Sequence, residues 1–325
     1  MRIAAILALS AGSLLAQTSE FVADPMPTPS CHASTVVEVK PGVILAAWFG
    51  GAGEGKSDVA IWSARKADGK WQPPVELARE ANTPTWNPVL FRGPDSVLWF
   101  YYKFGPSPRE WSAGRRMSHD DGQTWSAPEH LPAGLYGPIR AKPLVLPDGV
   151  IVSGTSVESY KSWAAWVERS TDAGKTWTRH GPVVPPAGGI IQPVIVPMEG
   201  KHLRFFARSN MGRICVSDSY DEGITWSPAK PTDLPNPSAG IDVVRLKDGR
   251  LVMIYNHTER GRTPLNLAVS GDGEKWTRFY DLEKDPGEYS YPAMVQAADG
   301  SLHITYTWRR QKIKYVNFPL ASVPR

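Results

Sequence analysis

Two cysteines in 325 residues leave nothing for a disulfide framework, so Cys31 and Cys215 read as unpaired thiols inside a packed protein. Charge of one sign is equally scarce. The 36 Lys and Arg against 32 Asp and Glu leave a net charge of +4 without a basic run, so no nucleic-acid partner is expected. The 7 histidines, at positions 32, 119, 130, 180, 202, 257 and 303, show no ligand spacing. No phosphate-binding loop opens a helix either, and neither metal nor cofactor is expected. Convincing amphipathic helices of ten residues are missing throughout. The single long apolar run is 1–16, whose basic start, short apolar core and small residue before Gln17 read as a secretory signal peptide. It is too short to cross a bilayer. The expectation is a secreted or periplasmic protein without a membrane span, forming one domain over 17–325.

What the chain does have is repetition. Ser118-His-Asp120-Asp-Gly122-Gln-Thr124-Trp125 returns as Ser170-Thr-Asp172-Ala-Gly174-Lys-Thr176-Trp177 and as Ser219-Tyr-Asp221-Glu-Gly223-Ile-Thr225-Trp226. A shortened copy follows at Ser270-Gly-Asp272-Gly-Glu-Lys-Trp276, and a faint one precedes them at Asp68-Gly69-Lys70-Trp71. Between successive Asp markers lie intervals of 52, 52, 49 and 51 residues, the length of one repeated sheet unit. Each copy has a mechanical reading. Asp and Ser/Thr oxygens bond turn amides, Gly supplies a positive φ, and Trp packs between sheets.

A second unit alternates with the first: apolar strand, turn, apolar strand. It recurs six times, over 34–49, 87–103, 142–155, 192–208, 242–256 and 291–308, mostly through Asp-Gly-type turns. Six hairpins, each followed by a strand pair joined through the Asp-Gly-Trp turn, predict an all-β, six-bladed β-propeller of four-stranded antiparallel blades. The last blade has no Trp turn after 313–318, so its outer strand is expected from the segment around Glu20-Phe-Val-Ala23, closing the ring. The 13 Trp and the 42% hydrophobic side chains supply enough apolar surface for such a single large domain.

In antiparallel blades the start of the innermost strand and the end of the second share one face, while the Asp-Gly-Trp turns lie on the other. Polar residues at the first face are therefore the candidates for chemistry. They are Cys31, His32, Trp86, Asn87, Arg140, Lys142, Gln192, Asp242, Glu288, Tyr289, Ser290 and Tyr291 at the strand starts. At the strand ends stand Glu54, Asp58, Lys103, Glu158, Arg208, Asn256, His257, Trp308 and Arg309. Lys103, Lys142, Arg208, Arg262 and Arg309 would form a positive cluster for a carboxylate or sulfate. Trp86 and Trp308 offer platforms for sugar rings. His32 could shuttle a proton, and Asp58 with Glu158 could supply a two-carboxylate pair.

These boxes, the segment from Gln192-Pro-Val-Ile-Val to Phe206-Ala-Arg208-Ser, and Gly287-Glu-Tyr289-Ser290 resemble the Asp-box sialidase (neuraminidase) superfamily of six-bladed propellers. The resemblance covers essentially everything after the signal segment. In that family three Arg clamp a substrate carboxylate, a Tyr paired with a Glu is the nucleophile, and an Asp is the acid/base. It implies that Arg208 and Arg262 are the second and third clamp residues, with Arg260 competing for the third. It also implies that Tyr289 is the nucleophile and Asp58, or less so Glu54, the acid/base. Two departures stand out: Cys31-His32 replaces the first clamp Arg, and Gln192 replaces the Glu that assists the Tyr. Gln cannot take a proton from a phenol of ordinary pKa about 10.

The function implied is a secreted exo-glycosidase releasing a terminal acidic sugar from a glycan. Alternatives are a polysaccharide lyase or rhamnosidase-type enzyme using His32 or Tyr289 as base, and a carbohydrate-binding propeller without turnover.

Overall fold

The computed structural model describes residues 17–325, so the expected signal peptide over 1–16 lies outside the described residues. Six antiparallel sheets follow one another along the chain, five of them four-stranded. They are the predicted blades of a six-bladed β-propeller. Among the described residues helix is confined to two short 3-10 turns, Pro108–Glu110 and Leu320–Ser322, and no helix is long and apolar enough to cross a membrane.

The ring closes as the sequence predicts. Thr18–Phe21 pairs antiparallel with Lys312–Phe318, with Thr18 opposite Asn317 and Phe21 opposite Lys314. The first sheet departs from four strands. Its outer edge is split into Lys70–Trp71 and Val75–Ala78, because Pro73 and Pro74 between them have no N–H to donate to a ladder. The inner strand of the third blade is also curtailed, to Leu144–Val145. Pro138, Pro143 and Pro147 flank it. There the backbone is held by buried charged side chains instead. Glu168 accepts from Tyr136 N at 3.0 Å and from Gly137 N at 2.6 Å, and Lys103 Nζ donates to Pro138 O at 2.8 Å.

The core is divided into apolar clusters between neighbouring blades. Phe49, Trp86, Phe100 and Trp111 pack between blades one and two, and Cys31, Trp48, Ala293 and Tyr315 between six and one. Cys31 and Cys215 are both buried and unpaired, and burial pushes their thiols up to about 12 and about 11.

The Asp-Gly-Trp turns are mechanical. Asp120 Oδ1 accepts from Thr124 N at 2.8 Å while Ser118 Oγ accepts from Gly122 N at 2.8 Å, and the same pattern holds Asp172 and Asp221. These turns also tie blade to blade. Arg115 of blade two donates to Gly174 O in the third blade's turn at 2.5 Å, and Arg169 of blade three to Glu222 O in the fourth at 3.0 Å.

Candidate active site

Four inner strands share a backbone device at the face where they begin. Ala33, Asn87, Gln192 and Tyr291 each take a left-handed φ, of 54°, 34°, 56° and 50°, at a register shift in the first hairpin of their blade. The bulge breaks the in-out alternation of the strand. In the last blade it turns Tyr291 onto the axis of the ring.

Tyr291 touches every side of that axis. His32 of blade one lies 4.3 Å from its ring centroid. Arg140 of blade three, Arg208 of blade four and Arg262 of blade five stand 5.3, 5.8 and 5.6 Å from it. Arg208 Nη1 donates to the phenol oxygen at 2.7 Å, and Gln192 Nε2 approaches it at 3.5 Å. Burial alone would raise the phenol's pKa. Arg208 and Arg262, helped by the Gln192 amide, outweigh that and hold it below the usual value. The guanidiniums thus favour the phenolate, against the opposing charge of Glu54.

The cations are themselves held in place. Arg140 is 5% exposed and donates to Ile241 O at 2.6 Å and to Pro292 O, so it spans the axis beneath Tyr291. Arg208 also donates to Ser238 Oγ at 3.0 Å, and its Nε is buried without a partner. Glu288 accepts from Arg262 at 2.9 Å and from Arg310 Nε at 2.8 Å, and Arg310 in turn ion-pairs with Glu54. Glu158 ends the strand Ile151–Glu158. Burial raises its carboxyl pKa, against the pull of Arg208 and Arg109. A ring of cations around a phenol, with Glu54 acting on the phenol and Glu158 on Arg208, can bind an anionic sugar and share a proton with its leaving group.

Several expected residues join this centre: Tyr291, Gln192, Arg208, Arg262, His32 and Glu158. His32 is only 2% exposed, sealed beneath Tyr291, with Nδ1 bonded to Thr307 Oγ1 at 2.9 Å. Burial, and then Arg310, Arg262, Arg140 and Arg208, keep it neutral by pushing its pKa well down. It supports Tyr291 rather than facing open solvent. Asn87 is buried at the second blade's bulge.

Other residues go elsewhere. Tyr289 is 1% exposed in the core between blades five and six, its hydroxyl 3.4 Å from Arg309 Nη2. Asp58 is exposed at the foot of its loop and accepts from Ala52 N at 2.8 Å, while Glu54 at the tip reaches Arg310. Arg309 lies over Trp308 at 4.7 Å, and it is the next residue, Arg310, that enters the centre. Trp308 packs against Phe21, and Trp86 is core, its Nε1 bonded to Gly105 O at 2.8 Å and its ring under Gly55, so it supports the Glu54 loop. Neither is an open platform.

Lys103 is fully buried on Pro138, as above. Lys142 and Asp242 line a cavity of about 370 Å³ bounded by later residues of the inner strands, Val194 to Pro197 and Met294 to Gln296, toward the opposite end of the axis. Asp242 accepts from Met294 N at 2.7 Å there. Asn256 spends its amide on the carbonyls of Arg262, Pro264 and Tyr289. His257 bonds Tyr255 OH at 2.5 Å and feels Arg278 and Asp281 of the outer strand.

Arg310 was missed, and Arg140 and Glu288, placed at this face by the strand starts, were given no role there. The signal that could have pointed to the bulges is the repeated polar-Pro pair at one blade position: Asn87-Pro88, Gln192-Pro193 and Tyr291-Pro292.

Residues 42–304 match the family model described as BNR repeat-like domain. This chain belongs to that family. Among curated proteins, a sialidase of Bacteroides fragilis (strain YCH46) is 26% identical over 220 residues, 57% of this chain and 39% of the relative. The chain therefore matches well under half the length of that curated relative. Among solved structures, a Hadza microbial sialidase, Hz136, superposes with a TM-score of 0.78 at 18% identity, covering 94% of this chain and 69% of that one. The intramolecular trans-sialidase from Ruminococcus gnavus, in complex with oseltamivir carboxylate, superposes with a TM-score of 0.76 at 14% identity, covering 94% and 97%. The sialidase propeller is thus the fold of this family member.

Proposed function

We propose that this protein is a secreted or periplasmic exo-glycosidase that releases a terminal acidic sugar from a glycan. The observation that carries the reading is the Tyr291 hydroxyl, 2.7 Å from Arg208 and ringed by guanidiniums from three other blades. Arg208, Arg262 and Arg310 would hold the sugar's carboxylate. Tyr291, with Gln192 donating where the sialidase superfamily has a Glu, would act as a phenolate nucleophile sustained by charge rather than by a base.

Of the two carboxylates near the centre, Glu158 is the one whose burial favours the protonated form, and it receives the proton-donor role. Tyr291 oxygen attacks the anomeric carbon as the glycosidic C–O bond breaks, and Glu158 protonates the departing oxygen. Water then attacks the same carbon, returns a proton to Glu158 and releases the Tyr291 phenolate. Glu54, paired to Arg310, orients that cation.

The test is turnover of 4-methylumbelliferyl glycosides of N-acetylneuraminic acid, Kdo and glucuronic acid. Wild type is expected to release fluorophore from at least one, and Tyr291→Phe to lose that activity. Release by Tyr291→Phe at the wild-type rate would remove Tyr291 from the mechanism. A rise in ultraviolet absorbance from a polyuronate, without fluorophore release, would favour the lyase instead.

A further inference from the structure

Tyr160, at 81% exposure, leaves more of its ring in water than any other large apolar side chain among the described residues. Its turn is tightly built. Ser159 N and Ser159 Oγ both donate to Ser162 O at 2.9 Å, and Ser162 N donates back to Ser159 Oγ at 3.1 Å. Glu158 paired with Trp163 closes the hairpin below, so the ring is presented at a fixed height.

Facing it is the 3-10 turn Pro108–Glu110 of the second blade, whose cap Ser107 Oγ accepts from Arg109 N at 3.3 Å. The Arg109 guanidinium lies 4.5 Å from the Tyr160 centroid, and among the described residues no carboxylate pairs with it. Glu158 connects this rim to the centre: it stands at the base of the Tyr160 hairpin, its strand packs on the Pro108–Glu110 turn, and its carboxyl feels the charges of both Arg208 and Arg109.

A proton donor in a glycosidase marks where the sugar and its leaving group separate. With Arg208 bonded to Tyr291 and assigned to the acidic sugar, Arg109 at the rim against Tyr160 falls to the leaving group. The geometry points to Tyr160 and Arg109 as a subsite for the leaving-group sugar, a neutral hexose of the glycan. The hexose lays its C–H face on the Tyr160 ring, and its hydroxyls accept from Arg109. This inference rests on the glycosidase reading above. It places recognition of the second sugar on blades two and three, away from the anion site.

The experiment compares kcat/KM for a disaccharide, the acidic sugar linked to a hexose, with that for the same sugar as its glycosyl fluoride, which has no leaving-group ring. In Tyr160→Ala the disaccharide-to-fluoride ratio is expected to fall about tenfold, the scale of one lost aromatic stack. Tyr160→Phe is expected to keep the ratio, and Arg109→Ala to lower it with less effect from Arg109→Lys. An unaltered ratio in Tyr160→Ala overturns the subsite. If wild type cleaves neither substrate, the glycosidase reading falls by itself. Calorimetric titration with the disaccharide and the free acidic sugar then decides the subsite. Affinity lost by Tyr160→Ala for the disaccharide alone supports it, and equal or absent binding overturns it.

Discussion

Replacing Lys103 with Met should change how the stability of the ring depends on pH. Lys103 is fully buried, with its ammonium on Pro138 O, and burial lowers its pKa from 10.5 to about 7, with Glu168 opposing. The unfolded chain binds this proton up to the higher value and the folded chain only to the lower. Between them the unfolded state carries more protons, so stability rises with pH across that window. At roughly 1.4 kcal/mol per pKa unit the whole span is worth on the order of 4–5 kcal/mol, of which on the order of 3 kcal/mol falls between pH 7.5 and 10. Lys103→Met has no such proton. Urea unfolding of both proteins at pH 7.5 and 10 should show wild type gaining on the variant by that amount as pH rises. The lost bond to Pro138 shifts both differences alike and cancels. A wild-type-minus-variant gap that is the same at both pH values would refute the argument.

Ultraviolet titration should find one of the 11 tyrosines ionising below the usual phenol range, absent in Tyr291→Phe and moved upward in Arg208→Ala. No early-titrating tyrosine would refute the electrostatic activation. With an acidic glycoside, Arg208→Ala should lose kcat/KM by roughly 10- to 100-fold, the scale of one charge-assisted hydrogen bond, beyond the loss a neutral glycoside shows through the weaker Tyr291 nucleophile; equal losses on both would remove Arg208 from carboxylate binding. Glu158→Gln should abolish the limb of the pH–rate profile that reports the proton donor, whereas Glu54→Gln should retain it; the reverse pattern would exchange their roles. Asp172 is held down to about 2: burial opposes this, but bonds from Thr176 and Ser170 prevail. Its contribution to stability is therefore present above about pH 4 and is lost as pH falls toward 2, so Asp172→Asn should flatten that acid limb in a circular-dichroism titration.

The architecture was legible because its signals are local. An Asp-Gly-Trp turn specifies its own hydrogen bonds, and its spacing counts blades regardless of what the blades enclose. The closing strand was legible because the last blade lacked an edge. The centre was harder to read for a reason of phase. In a regular strand Tyr289 and Tyr291 point the same way, and the motif Glu-Tyr-Ser drew attention to the first of them. The left-handed residue at the bulge separates them, sending Tyr291 to the axis and leaving Tyr289 in the interblade core. The turn at Arg309 and Arg310, both with positive φ of 53° and 57°, divides its guanidiniums between rim and centre in the same way. Asp58 and Glu54 differ by where a loop folds over Gly55, whose φ of 78° and contact with Trp86 no spacing rule encodes. Arg140 was legible as a residue entering an inner strand but not as part of the centre, because blade three keeps only Leu144–Val145 of that strand and register says nothing of where Arg140 goes.

Thr18 and Asn317 lie side by side in one sheet. A short peptide bridge could therefore join the segments to which they belong, and new termini could be opened at an exposed connection such as the one around Gly134. Such a rearranged chain would keep each group of the centre on its own blade, since none of them depends on the order in which the blades are strung. The centre around Tyr291 would then behave as a property of the closed circle, indifferent to where the polypeptide is cut.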